Sequence, residues 1–176
     1  MVKDDESFGF NKGIIVIELY VIEGILTMKD RFINGLVAGI VAGFVQITVS
    51  GFLYFILHFG HLKLGDFAGI MIFGRKPANL IEYQLAFLAH LGYAGSVGIA
   101  FSFLLQYISR KYLWVKGLYF GLAMWFFVYT IILLFKVPGL TKNTLESAMN
   151  NAITSCIYGL ALAWAIKKLE NQELLK

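Results

Sequence analysis

Charged side chains are scarce in this chain. Asp, Glu, Lys and Arg make up 15% of its residues, against about 25% in an ordinary soluble domain, and between Phe32 and His61 there is not one. That run argues against a water-soluble fold, because roughly 20 apolar residues in a helix already cross a bilayer core about 30 Å thick. Cysteine is nearly missing too. Cys156 stands alone, which excludes an internal disulfide and reads as a small packing residue inside an apolar run. Catalytic machinery is also lacking: there is no paired-cysteine motif, no Gly-rich phosphate loop, no HExxH pair and no serine in a nucleophile elbow. An enzyme is therefore not expected, nor is a cofactor or a metal.

What the chain has in plenty is apolar residues, at 59%, with a mean hydropathy of +0.72. Three further segments follow the first: Tyr83–Ser109 and Gly117–Phe135 are uncharged, and Ser147–Ile166 lies between Glu146 and Lys167. Each is long enough to span a bilayer. The predicted spans are residues 32–59, 81–109, 115–135 and 147–166, within a membrane domain of residues 28–168 and ahead of a short tail, 169–176. The predicted fold class is all-α, an antiparallel four-helix transmembrane bundle with a short amphipathic interfacial segment between spans one and two.

Four crossings return the chain to its starting side. Of the 15 Lys and Arg, ten fall on the side of the termini (Lys3, Lys12, Lys29, Arg31, Arg110, Lys111, Lys116, Lys167, Lys168 and Lys176) and five on the other (Lys63, Arg75, Lys76, Lys136 and Lys142). By the positive-inside rule both termini are predicted to be cytoplasmic, in a multi-pass protein of the cytoplasmic membrane. The net charge of +4 belongs to these flanks, so no nucleic-acid partner is expected. The 61–79 loop on the outer side is too apolar to hang in water. Asp66 is placed to cap a short interfacial helix ending near Gly74, with Arg75 and Lys76 beside lipid phosphates and Pro77 stopping its continuation.

The first 27 residues differ from the rest. Gly13–Leu26 is apolar but broken by Glu18 and Glu23, fits no helical or strand period, and has no cleavage-site pattern. Glu23-Gly24 must be encoded by a purine-rich GARGGN resembling a ribosome-binding site, shortly before Met28. Met28-Lys29-Asp30-Arg31 then reads as a natural start, and an interfacial N-terminal helix is the alternative.

Helices in lipid associate through close packing and hydrogen bonds, so small residues mark their contact faces. Gly35, Gly39 and Gly43 recur every fourth residue, and Gln46 and Ser50 fall within the same arc of about 80° on a helical wheel. Gly117 and Gly121 in span three, and Ser155, Gly159 and Ala163 in span four, offer similar faces. Span two carries Glu82, Ala86, His90, Ala94, Gly98, Ser102 and Gln106 at steps of four. On a straight helix this line drifts by about 40° per step, so only adjacent members are expected to share a neighbour.

Ionisable and amide groups near the membrane are the default functional candidates. His90 lies deepest, as a proton relay or, more simply, a neutral ring bonded to a neighbouring helix such as at Gln46. Gln46 itself must face another helix or a wet cavity. His58 and His61 sit at i, i+3, within conceivable reach of Asp66 and Glu82, yet an ion pair of Glu82 with Arg75 or Lys76 is preferred to a metal site. Asn150 and Asn151 are expected to cap or brace span four.

The segment DFAGIMIFGRKP at Asp66–Pro77, the Leu85–Leu91 stretch, and LFKVPGLT at Leu134–Thr141 before an amide-rich fourth span resemble an uncharacterised group of small four-span membrane proteins from clostridia and related bacteria. The resemblance covers residue 28 to about residue 168. It implies a bacterial cytoplasmic membrane and a start at Met28, and it carries over no functional residue. The expected role is a non-enzymatic interaction or accessory protein, whose partners are the lipid bilayer and a second copy or another membrane protein. The alternatives are a small transporter or channel subunit acting as an oligomer through Gln46, His90 and Glu82, and lipid-headgroup recognition by Arg75 and Lys76.

Overall fold

The glycine ridge of the first span sets the architecture. In the computed structural model, which describes residues 31–141 and 144–173, α1 (Arg31–Phe55) lays Gly35, Gly39 and Gly43, all buried, against α3 (Leu80–Leu104). A Cβ at Gly35 would sit 2.8 Å from the Ile99 Cα, and one at Gly39 2.8 Å from the Gly95 Cα. Only hydrogen at these positions lets the two backbones meet. A second pair forms the same way. Gly117 and Gly121 of α4 (Leu113–Leu134) press on Ser155, Gly159 and Ala163 of α5 (Leu145–Glu173).

Polar side chains join the two pairs. Gln46 Nε2 donates to Ser155 Oγ (3.3 Å), Ser50 Oγ to Asn150 Oδ1 (3.4 Å), and Tyr158 OH to the Ala94 carbonyl (2.7 Å). Among the described residues the result is an all-helical bundle with four helices long and apolar enough to cross a membrane. Its outer surface supports the same reading: Leu88, Val115 and Phe126 are 62%, 63% and 67% exposed, a cost in water and a gain in lipid. Exposed Tyr107, Tyr112, Tyr119, Trp114 and Trp164 collect toward the end where the α3–α4 turn lies, as an interfacial belt does.

Three helix limits differ from the expected ones. The first helix stops at Phe55 rather than at 59, because α5 captures the chain beyond it. Asn150 Nδ2 donates to the Phe59 carbonyl (2.9 Å) and the His61 N–H to Ser147 Oγ (3.0 Å), and the backbone turns through positive φ at His58 and Gly60 (52° and 100°). The second span ends at Leu104, and the fourth continues as helix past Lys167 and Lys168 to Glu173. The extension before residue 28, and the start proposed at Met28, lie outside the described residues.

The line of fours on α3 also behaves differently from the expectation. Ser102 Oγ donates to the Arg31 carbonyl (3.0 Å), Gly98 lies on Gly39, Ala94 lies on Gly43, and His90 Nε2 meets the Gly43 carbonyl (3.1 Å). Four consecutive members therefore face one helix. The drift expected on a straight wheel is absorbed because α1 presents its own ridge of fours, and two such ridges in contact incline the helices so that the seam winds with both. Gln106, beyond the helix end, is exposed.

Between α1 and α3 lies α2 (Leu64–Phe73). Asp66 is its third residue rather than its cap, and its carboxylate accepts the Lys63 N–H (3.3 Å) and the Tyr83 hydroxyl (3.2 Å). Gly74 closes the helix at φ 70°, its N–H on the Ile70 carbonyl (2.8 Å), as a left-handed cap requires. One face of α2 seats on the bundle: Phe67 and Ile70 cluster with Leu62, Ile132 and Leu140. Met71 and Ile72 stay exposed.

Candidate functional site

Two hydrophobic clusters divide the bundle. The larger holds Ala38, Ala42, Ala94, Val97, Phe101, Leu105, Tyr158 and Leu162, with Phe120 packed against it, and here α3 and α4 touch through the Phe101 and Phe120 rings (4.7 Å between centroids). The smaller is the α2 cluster. Between them a half-enclosed cavity of about 330 Å³ lies under α2, between α3 and α4. Such a volume falls at the lower end for small-molecule sites.

Each element supplies a wall. α2 contributes Leu64, Phe67, Ala68, Met71 and Ile72 as the roof, α3 contributes Ala89, Tyr93 and Val97, and α4 contributes Met124, Phe127, Val128 and Ile131. Gln46, His90, Asn151, Ser155 and Tyr158 make the floor from α1, α3 and α5. Among the described residues no Asp, Glu, Lys or Arg lines it. His90 is ten positions into α3 from Leu80, about 15 Å at the helical rise, so the floor lies near the middle of the bundle's height.

The floor is mostly committed to holding helices together. The Gly43 carbonyl can only accept, so His90 Nε2 carries the hydrogen of that bond. The partner is thus a backbone carbonyl of α1, where the sequence reading pointed to Gln46, and Gln46 binds Ser155 instead. Asn151 Nδ2 donates to the Tyr129 hydroxyl (3.1 Å). Its Oδ1 is buried and without a hydrogen-bond partner among the described residues.

The other candidates stand apart from the cavity. Glu82 receives a bidentate grip from Arg75 (2.8 and 2.9 Å) and accepts the Ala78 N–H (2.7 Å), stitching the 74–79 turn to the start of α3. Those hydrogen bonds raise the Arg75 pKa above its ordinary value, so it stays charged. Lys76 reaches the His61 carbonyl (3.4 Å). Among the described residues no three His, Cys, Asp or Glu groups are placed to hold a metal ion, so His58, His61, Asp66 and Glu82 do not converge. Gly35, Gly39, Gly43, Gly117, Gly121 and Gly159 all lie at helix contacts.

Sequence reasoning reached Gln46 and His90 but not the cavity they share. Asn151, Ser155 and Tyr158 were legible as one polar face of span four, since positions i, i+4 and i+7 align on a helix. The opening between α3 and α4 had no local signal. No family model, curated protein or solved structure matches this chain.

Proposed function

We propose that this multi-pass membrane protein is a non-enzymatic accessory protein of a bacterial cytoplasmic membrane, and that it takes the aliphatic chain of a membrane molecule into the cavity beneath α2. The observation that carries this reading is the cavity's place. It lies between two helices whose outer faces are lipid-exposed, with exposed Ala89, Tyr93 and Phe127 at its rim, so a chain enters sideways from the bilayer. The apolar walls suit a hydrocarbon, and the floor hydrogen bonds brace helices rather than form a relay. That same bracing disfavours a transport path through Gln46 and His90. The excess of Lys and Arg on the side of the termini supports a cytoplasmic location for both.

A test uses a fatty alcohol carrying a mid-chain diazirine, photolysed with the purified protein in lipid nanodiscs. The expected result is labelling concentrated on half-buried cavity residues such as Met124 and Val128, and its loss in Ala89→Phe, which fills the entrance. Labelling spread evenly over the exposed apolar belt, and unchanged by Ala89→Phe, would falsify the reading.

A further inference from the structure

At the opposite end of the bundle from α2, and independently of the cavity, we propose a second site: the α3–α4 turn and the last turns of α5 hold the phosphate of an anionic phospholipid between Lys111 and Lys167. The first observation is where cations gather. The turn carries Arg110 and Lys111, and Lys116 follows in the first turns of α4. A Cβ at Gly117 would lie 2.8 Å from the Ala163 Cβ, and the two helices run antiparallel. Four residues back along α4 and four onward along α5, Leu113 and Lys167 are therefore level. Arg110 is ion-paired with Glu170, which shares a helix face with Lys167 at i, i+3, so the turn lies against that face.

The second is which cations are already engaged. At the α2 end Arg75 holds Glu82, Lys76 reaches the His61 carbonyl, and the Lys63 ammonium stands over the Phe55 and Tyr83 rings at 4.7 and 4.8 Å. At the α3–α4 end Arg110 is taken by Glu170, Lys116 by the Ser109 carbonyl and Lys168 by the Trp164 ring (5.1 Å). The side chains of Lys111 and Lys167 are exposed and have no hydrogen bond, ion pair or ring contact among the described residues. Two positive charges are left without a counter-charge there. The third is depth. Exposed Tyr107, Tyr112 and Trp114 flank the lysines, which is the level at which aromatic side chains meet headgroups, and Val115 and Leu118 just beyond are 63% and 40% exposed. A phosphate at the two lysines thus has its acyl chains on the bare face of α4, which favours a phospholipid over a soluble anion. A zwitterionic head fits worse, because its ammonium would lie among cations while Glu170 is already held by Arg110. Clusters of Lys and Arg at a helix end attract anionic headgroups in this way.

Native mass spectrometry of the full chain in detergent, titrated with phosphatidylglycerol or with phosphatidylcholine of the same acyl chains, reads the preference. At about fivefold per lysine near a charged surface, phosphatidylglycerol is expected to bind about 25-fold more tightly. Lys111→Gln and Lys167→Gln should each remove about fivefold of that, and the double variant should leave the two lipids equal. Lys136→Gln, which removes an exposed cation at the α2 end, is expected to change nothing. Glycerol phosphate, an anionic head without chains, is expected not to compete. All three lysines are exposed, so these changes leave the helix contacts in place. A preference that survives the double variant, or that falls as far in Lys136→Gln, means general charge attraction and overturns the site. Competition by glycerol phosphate at the lipid's own concentration overturns the lipid as occupant in favour of a soluble phosphate.

Discussion

Gln46 illustrates what an amide must do where water is absent. It sits on the glycine ridge of α1, and the sequence alone required it to find a partner; the fold supplies Ser155 of α5 at 3.3 Å. Bonds of this kind are modest in membranes because the dissociated helices also find partners. Gln46→Leu is accordingly expected to lower stability by about 0.6 kcal/mol, read as a small shift in a denaturing-detergent titration. A loss several times larger would mean that Gln46 holds more than Ser155. Asn150 is a different case. It binds both Ser50 and the Phe59 carbonyl, and so ties the end of the first helix to the start of the last. Its residue type was legible as a bracing amide, but neither partner is near it in sequence.

Among the helices, glycines divide into two kinds. Gly98 has no room for a methyl group, since a Cβ there would lie 2.6 Å from the Gly39 Cα. Gly92, on the exposed side of the same helix, has open space around it. Gly98→Leu is expected to cost at least about 1–3 kcal/mol, the range for overpacking, and to separate α1 from α3. Gly92→Ala is expected to be neutral or to stabilise by up to about 1 kcal/mol through helix propensity. Thermal melts of the two variants in one detergent check the contrast, and similar melting temperatures would show that the ridge does not hold the pair. The glycine spacing identified both contact faces in advance. It did not identify which ridge meets which, because every small face is compatible with every other until loop lengths and crossing geometry decide.

For the whole molecule the prediction concerns sidedness. With Cys156 replaced by Ala, single cysteines at Lys76 and at Lys168 are expected to be labelled from opposite faces by a membrane-impermeant maleimide. In intact cells position 76 should react and position 168 should react only after permeabilisation. Labelling of both from one face would undo the four-crossing topology together with the lateral entry path. The same experiment reports on α2, whose exposed Met71 and Ile72 place an apolar edge beside the cavity mouth, while the Arg75–Glu82 pair pins the turn behind it.

By itself the sequence determined the number of crossings, the small-residue faces and the sparse set of polar side chains. Each of these follows from local chemistry: hydrocarbon tolerates few charges, and close helix contact tolerates few side chains larger than hydrogen or methyl. Only the tertiary structure decided that α1 seats on α3 and α4 on α5, that His90 bonds a backbone carbonyl, and that α3 and α4 part beneath α2. A cavity is a property of the space between elements, set by where their packing ends, and no residue on its own records where that is.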